Sequence, residues 1–173
     1  MRARPFPVVL AVLFASGLAT GQAKPPGDDV IGTIEIPRLG VSSVVREGDD
    51  ERTLRRGVGH VRGTPPPETL GNVGFAGHRT SFFKPLRRIR PGDVIRLRTP
   101  TVIYTYEVLS SEIVKPEDTG VFDRKETPAL TLVTCYPFEY KGHAPRRFVV
   151  HAERVAVTTA PDAWARRGPN LTR

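Results

Sequence analysis

The single cysteine of the 173-residue chain, Cys135, stands near the end of a run that predicts a buried strand. Apolar and β-branched residues fill positions 129–136, and Pro137 closes the run because proline has no backbone N–H for a strand's hydrogen bonds. The rigid end of a strand holds a side chain at a fixed angle, which a nucleophile requires. Taken alone, Cys135 is equally compatible with a small buried hydrophobic residue.

Two further residue types can supply the chemistry that a reactive thiol needs. His78 ends the strand-like stretch 72–78, and the pair Arg146 and Arg147 begins the last apolar run. A histidine can act as a base and then protonate a leaving amine, while a guanidinium can hold the charge that develops on a carbonyl oxygen. With a thiolate as nucleophile, these groups predict attack on a carbonyl carbon.

The sequence leaves the partners of the cysteine partly open. His60, His143 and His151 are alternative bases. We predict His60 and His143 in loops, and we expect His151 to pack within the last strand. Adjacent residues of an extended strand point to opposite faces, so only one of the two arginines can face the thiol. Each candidate also has an ordinary structural interpretation, as a loop histidine or an exposed strand charge.

Short strands must position these residues, because no long amphipathic helix is present in the pattern. The 17 prolines and 16 glycines favour many turns, and only residues 49–56 and 81–89 predict short helices. Strands are predicted at residues 31–36, 41–45, 72–78, 94–98, 102–108, 129–136 and 147–157. Residues 110–128 predict a long surface loop leading into the cysteine strand. Seven or eight short strands indicate an all-β barrel or sandwich.

The N-terminal residues predict export from the cytoplasm. Two arginines precede an apolar run at residues 8–15, which is shorter than a membrane-spanning helix, and small residues at 21–23 resemble a cleavage site. A cleaved signal is favoured over an uncleaved anchor. We therefore expect four segments: a signal peptide or N-terminal membrane anchor at 1–23, a linker at 24–30, the catalytic domain at 31–158 and a flexible tail at 159–173. In an exported chain a lone cysteine cannot form an internal disulfide, which makes a reactive thiol more plausible.

The formal charge of +8 is spread over the chain without a basic stripe or a nucleic-acid motif. This pattern favours contact with an anionic envelope surface over binding to nucleic acid. Acidic residues of the long loop could bind calcium weakly, but a solvated loop is the favoured interpretation. These residues are Glu112, Glu117, Asp118, Asp123 and Glu126. No metal or other cofactor is predicted.

The residues around Cys135 and His78 form motifs of a known family. Thr131-Leu132-Val133-Thr134-Cys135 matches the TLxTC strand of the sortases. After the cysteine, residues 136–138 and 144–150 resemble the class D branch of that family. Upstream, residues 59–61, 71–73 and 76–79 resemble the family's catalytic-histidine region, and all these segments occur in the order that the family requires. The resemblance spans residues 31–157.

The resemblance implies a closed eight-stranded sortase β-barrel with one or two short helices, and a cysteine transpeptidase. Cys135 would be the nucleophile, His78 the general acid and base, and Arg147 the arginine that positions the substrate or stabilises the transition state. Thr134 and Arg146 are expected to contribute to substrate binding. Thr80 follows the His-Arg pair where class D relatives commonly carry an acidic residue, so no carboxylate is predicted beside the histidine at that position.

The implied reaction consists of two acyl transfers. The thiol would cleave an LPxTG- or LPxTA-type sorting signal after its threonine, and an amine would then resolve the thioester. The partners would be exported proteins that bear a sorting signal, and an amine of the cell envelope or of a pilin. Two other interpretations stay open: another cysteine acyltransferase of the L,D-transpeptidase kind, and a non-catalytic envelope-binding barrel.

Overall fold

Alternating apolar residues produce a closed barrel of eight strands in the computed structural model, which describes residues 29–161. The strands are β1 (Val30–Ile36), β2 (Val41–Glu47), β3 (Val58–His60), β4 (Asn72–Ala76), β5 (Val94–Arg98), β6 (Val102–Val114), β7 (Ala129–Tyr136) and β8 (Arg146–Thr159). One α-helix, α1 (Glu51–Arg56), and three 3-10 helices (Pro37–Leu39, Lys84–Arg88 and Gly120–Phe122) lie between them. The predicted all-β barrel with few short helices is confirmed.

The strands follow one another around the barrel in the order β1, β2, β3, β4, β7, β8, β6, β5. Pairing of Ile34 with Leu97 closes the barrel, and an ion pair of 2.8 Å between Glu35 and Arg98 crosses the same seam. β2 pairs with β3 and β4 with β7 in parallel, whereas the other neighbours are antiparallel. Because parallel strands end at the same edge, β4 and β7 deliver the residues that follow them to one edge of the barrel.

The barrel interior is filled by the inward-facing side chains of all the longer strands. The largest fully buried side chains are those of Tyr106, Phe75, Phe83, Ile34, Ile36, Leu86, Ile95, Leu97, Leu130 and Leu132. Strand β7 differs from a half-exposed strand because its first four residues are all buried. Its outward-facing Thr131 is covered by the loop that precedes β7, as its hydrogen bond to the carbonyl of Val121 shows. The cysteine strand is thus a central, doubly covered element, as its sequence predicts.

Strand β6 is longer than its sequence pattern predicts. The expected surface loop at 110–128 is wrong in its first part, because residues 110–114 continue β6 and pair with β8. These residues are mostly exposed, so their sequence lacks the apolar alternation of a half-buried strand. Their extended conformation comes from the backbone ladder with the fourteen-residue β8. The irregular segment, named here the β6–β7 loop, comprises residues 115–128.

Two further expectations differ from the structure, and two others lie wholly or mostly outside the described residues. His60 is not in a loop but ends β3, which pairs in parallel with β2 and is only three residues long. The last strand extends to Thr159, two residues beyond the predicted end. The predicted signal or anchor at 1–23 and most of the tail lie outside the described residues. Within residues 29–161, no helix is long and apolar enough to span a membrane.

Candidate active site

Cys135 and Arg147 face each other across neighbouring strands. They are paired residues of the antiparallel β7–β8 ladder, and paired side chains in such a ladder lie about 4.5–5.5 Å apart at their Cβ atoms. Both are half-buried, and both line one cavity of about 420 Å³. Arg146 instead pairs with Tyr136 and is exposed. Of the two candidate arginines, the structure therefore brings Arg147 to the thiol.

His78 reaches the same cavity from the segment that follows β4. The backbone N–H of Gly77 donates to the carbonyl of Val133 at 3.2 Å, which continues the β4–β7 pairing up to the histidine. A side chain on Gly77 would bring its Cβ within 2.7 Å of the Phe83 ring, so only glycine permits this close approach. The backbone that carries His78 is thus fixed against the strand that carries the cysteine.

Thr134 supports this segment from beneath. Its side chain is buried, and its hydroxyl donates to the carbonyl of Gly77 at 2.7 Å. Thr134 precedes Cys135 on an extended strand, so the two side chains point to opposite faces. Among the described residues, neither Thr134 nor Arg146 lines the cavity. Their predicted contribution to substrate binding stays a prediction.

The guanidinium of Arg147 is held by the backbone at the start of β8. Its Nη1 donates to the carbonyl of Arg146 at 3.1 Å and to that of Ala144 at 3.3 Å. Arg147 also lines a second cavity of about 320 Å³ on the side of the β6–β7 loop. The arginine therefore stands between the two cavities, beside the thiol.

Two of the alternative histidines, His60 and His151, interact with residues outside the Cys135 cavity. His60 is buried, with its Nδ1 3.0 Å from a carboxylate oxygen of Glu47 and its Nε2 3.1 Å from the hydroxyl of Thr64. The Nε2 of His151 lies 2.8 Å from the carboxylate of Glu112. Neither lines the cavity of Cys135, whereas the exposed His143 does. His78 is better placed than His143, because its backbone is fixed by the β4–β7 pairing.

A carboxylate that the sequence did not reveal also lines the cavity. Glu51 is the first residue of α1, and its Oε2 lies 3.8 Å from the Nε2 of His78. The helix begins there because Asp50 caps it: the Asp50 carboxylate accepts hydrogen bonds from the backbone N–H of Arg52 and Thr53 and from the Thr53 hydroxyl. These bonds, that from the Thr53 hydroxyl foremost, lower the pKa of Asp50. In the sequence, the only sign of this arrangement was Asp50 followed by Glu51 at the start of a predicted short helix.

Arg79 is the second lining residue that sequence reasoning missed as a functional group. Its Nη2 donates to the carbonyl of Tyr140 at 2.6 Å and to that of Gly142 at 3.0 Å. Both carbonyls belong to residues 137–145, named here the β7–β8 loop. Arg79 therefore holds the far wall of the cavity in position.

The second cavity is a groove beneath the β6–β7 loop, lined mostly by apolar residues but also by Asp49, Asp118, Thr119 and Arg147. Its apolar lining residues are Val61, Ala76, Val114, Pro116, Val121, Phe122 and Val133. Buried Asn72 fastens the loop above the groove, since its Nδ2 donates to the carbonyls of Val121 at 3.1 Å and Asp123 at 3.3 Å. The Oδ1 of Asn72 accepts a hydrogen bond of 2.8 Å from buried Thr131. Every polar atom of the Asn72 side chain thus contributes to the position of the loop.

The side chains that line the cavity supply three kinds of chemistry: a thiol nucleophile, an imidazole that can move a proton, and a guanidinium for an oxyanion. Within residues 29–161, no group of three or more histidine, cysteine, aspartate or glutamate residues is arranged to hold a metal ion.

Comparison with known proteins identifies the family. The family model of the sortase domain matches residues 34–155. Sortase D of Bacillus subtilis is 35% identical over 133 residues, which cover 76% of this chain and 67% of that protein. Sortase A of Listeria monocytogenes is 27% identical over 137 residues, which cover 77% of this chain and 60% of that protein. The chain thus spans about two thirds of the length of these relatives or somewhat less.

Solved structures agree with these matches. A Sortase D5 transpeptidase of Clostridium perfringens superposes with a TM-score of 0.67 at 30% identity, covering 74% of this chain and 80% of that one. Sortase A of Listeria monocytogenes gives a TM-score of 0.72 at 25% identity, covering 79% and 94%. The chain belongs to the sortase family of cysteine transpeptidases, and its resemblance to the class D branch is confirmed.

Proposed function

We propose that this protein cleaves a sorting signal of the LPxTG or LPxTA type after its threonine and joins the new carboxyl group to an amine. The observation that carries the proposal is the meeting of Cys135, His78 and Arg147 on one cavity, from three adjacent strands. In this proposal Cys135 is the nucleophile, His78 the general acid and base, and Arg147 the group that stabilises the oxyanion.

The first step forms a thioester. The thiolate of Cys135 attacks the carbonyl carbon of the threonine, and the guanidinium of Arg147 stabilises the negative charge on the carbonyl oxygen. The C–N bond to the following residue then breaks as His78 gives a proton to the leaving amine. The acyl group stays on the sulfur.

The second step transfers the acyl group. An amine attacks the thioester carbonyl, a new C–N bond forms, and the C–S bond breaks to return the thiolate. His78, now neutral, takes the proton that the amine loses. Cys135 is then again a thiolate and His78 again protonated, as at the start of the first step.

The apolar groove supports a peptide substrate of this kind. It borders Arg147, and its lining by valine, alanine, proline and phenylalanine side chains suits the leucine and proline of the sorting signal. Bound there in extended form, the peptide would place the carbonyl of its threonine beside Cys135. Asn72 would then act on the substrate indirectly, by holding the β6–β7 loop over the groove.

The proposal extends to partners and location. The donor substrates would be exported proteins with a sorting signal, and the acceptor an amine of the cell envelope or of a pilin. Sortases act outside the cytoplasm at the cell envelope, and the N-terminal segment would direct this chain there as a cleaved signal or as an anchor. The positive charge of the chain suits that anionic surface.

Intact mass spectrometry tests the proposal directly. The full chain is mixed with LPxTG and LPxTA peptides, with and without an amine acceptor. We expect a mass adduct on Cys135 that the amine discharges, and no adduct for Cys135→Ala. If neither peptide forms an adduct but Cys135 still reacts with a methanethiosulfonate reagent, the protein uses a different acyl donor. A thiol that does not react until the protein is denatured would favour a non-catalytic barrel.

Paired variants assign the remaining roles. His78→Ala and Arg147→Ala should each reduce acyl-enzyme formation by about a hundredfold or more, since each removes a group that acts in the transition state. Arg146→Ala is the matched control, because Arg146 is exposed and faces away from the cavity. Wild-type rates in His78→Ala, or a larger loss in Arg146→Ala than in Arg147→Ala, would contradict the assignment.

A further inference from the structure

The cavity at Cys135 carries an uneven set of charges. Arginines 79 and 147 and two histidines line it, together with a single acidic side chain among the described residues, that of Glu51. The sorting peptide would enter from the groove on the other side of Arg147, where Glu51 is not a lining residue. Glu51 therefore faces the part of the cavity that the donor peptide does not fill.

The two carboxylate oxygens of Glu51 have different surroundings. Oε1 accepts a hydrogen bond of 2.9 Å from the Nε of Arg55, one helical turn along α1. Oε2 is directed towards the Nε2 of His78 but stays 3.8 Å from it, which is too far for a direct hydrogen bond. An amine nitrogen placed between them can lie about 2.8 Å from both atoms at once.

The position of Glu51 is fixed, yet solvent reaches it. Asp50 caps α1 at this point, and the helix is anchored by the fully buried side chain of Thr53. The Glu51 side chain is 62% exposed, so a cation can approach it from solution. A fixed carboxylate beside the proposed base is suited to bind a positively charged group that must lose a proton there.

We propose that Glu51 binds the acceptor substrate as its ammonium ion; this inference rests on the proposed function. Primary amines are largely protonated at neutral pH and cannot attack a thioester in that form. The ammonium N–H groups donate to Oε2 of Glu51 and to neutral His78. The bound ammonium loses one proton to water, and the amine that results attacks the thioester carbon. Its second proton passes to His78 as the C–S bond breaks and the Cys135 thiolate returns. Glu51 thereby selects cationic acceptors over neutral nucleophiles.

Competition between two acceptors tests this role. The acyl-enzyme is discharged at neutral pH with glycinamide, which is mostly cationic, and with hydroxylamine, which is mostly uncharged, and the two products are quantified by mass. Glu51→Gln removes the charge but keeps the shape of the side chain. We expect the ratio of glycinamide product to hydroxamate to fall about three- to tenfold, and to depend less on ionic strength.

Glu139→Gln is the matched control, because Glu139 is an exposed glutamate of the β7–β8 loop that pairs with Arg87 and does not line the cavity. It should leave the ratio at the wild-type value. An unchanged ratio in Glu51→Gln, or equal losses with both acceptors, would overturn this inference while the proposed function stands. A wild-type protein that forms no acyl-enzyme would overturn both.

Discussion

The two loops that flank Cys135 are attached to the barrel in different ways. The β6–β7 loop rests on buried groups: Asn72 donates to two of its carbonyls, and the ring of Phe122 packs where Gly74 has no side chain. The β7–β8 loop is exposed over most of its length. The guanidinium of Arg79 bridges two of its carbonyls, while aromatic contacts between Tyr136, Phe138 and Phe148 hold only its base.

This difference assigns the two loops different parts in the proposed reaction. Buried hydrogen bonds and close packing hold a segment in one conformation, so the groove under the β6–β7 loop needs little ordering when the peptide binds. The β7–β8 loop is held mainly by contacts near the surface, those of Arg79, of the Arg87–Glu139 pair and of Arg147 with Ala144, so it can open at a smaller cost. The donor side of the site is thus preformed, whereas the acceptor side can adapt to the second substrate.

Among variants that test the difference between the two loops, Asn72→Asp should have the largest effect. Asn72→Asp removes both donated hydrogen bonds and places a carboxylate against two carbonyl oxygens. We expect a loss of about 2–4 kcal/mol in the free energy of unfolding, because buried polar groups are left without partners. The kcat/KM for the sorting peptide should fall at least about thirtyfold, mainly through KM. Urea unfolding and steady-state kinetics measure the two effects.

Thr131→Val is the control for Asn72→Asp. It removes the hydroxyl that donates to Oδ1 of Asn72 at 2.8 Å and to the Val121 carbonyl of the loop at the longer distance of 3.3 Å, but it keeps both hydrogen bonds from Asn72 to the loop. Its effect on KM should be much smaller. Equal effects of the two variants on KM would show that the hydrogen bonds from Asn72 to the β6–β7 loop do not determine peptide binding in the groove.

A methyl group at Gly74 should have the next largest effect. The Cβ of Gly74→Ala would lie 2.8 Å from the Phe122 ring, so the ring and its loop must shift. We expect a loss of about 1–3 kcal/mol in stability and a several-fold rise in KM for the peptide. Gly120→Ala adds the same group to the same loop, where the nearest atom is 3.4 Å away, and should change little. Similar kinetics for both variants would contradict the proposed packing.

Loss of the hydrogen bonds from Arg79 to the β7–β8 loop should affect stability and activity less than the changes at Asn72 and Gly74. Arg79→Lys keeps the charge, but an ammonium group does not reproduce the fork with which the guanidinium reaches both carbonyls. We expect a loss of less than about 1 kcal/mol in stability and a threefold or smaller loss of acyl transfer. Hydrogen exchange of the loop amides should become faster. Unchanged exchange would show that Arg79 does not restrain the loop.

The smallest effect on activity is expected far from both loops. Buried Asp93 forms an ion pair with Arg38 and accepts from the backbone N–H of Arg90, and the hydrogen bond from Arg38 is the main cause of its lowered pKa. Because the pKa of Asp93 is lower in the folded than in the unfolded protein, its ionised carboxylate stabilises the fold. This stabilisation is complete above the unfolded-state pKa of about 4, and it is lost as the pH falls through the folded-state pKa.

Asp93→Asn should therefore lower the free energy of unfolding by about 1–2 kcal/mol at neutral pH. Below about pH 4, the stability of the variant should depend less on pH than that of the wild type. The kcat/KM at neutral pH should stay within about twofold of wild type. Thermal unfolding at several pH values measures the first effect. A large loss of activity at unchanged stability would show that this region is coupled to the site.

Sequence patterns predicted the parts of this molecule whose burial is regular. The cysteine strand, the strand near His78 and the all-β class follow from apolar periodicity and from the turns, whereas the closed barrel was implied by the resemblance to the sortases. The end of β6 and the strand at His60 did not, since one is exposed on both faces and the other is three residues long. Their conformation is set by backbone pairing with distant strands, which side-chain periodicity does not record.

The site shows the same limit. Cys135, His78 and Arg147 could be named because the motifs around them resemble those of the sortases, whereas their residue types alone left other histidines and Arg146 open. Glu51, Asn72 and Arg79 could not be given roles. Each acts on a residue or loop far away in sequence, and these contacts exist only once the barrel is closed.

The parallel pairing of β4 with β7 also has a consequence for folding. Two antiparallel strands can be joined by a tight turn, but this pair is joined by a crossover that contains β5 and β6. Contacts between distant segments form slowly, because the entropy of a long loop must be lost first. We therefore expect Cys135 and His78 to come together late, and the reactivity of Cys135 should serve as a reporter of completed folding.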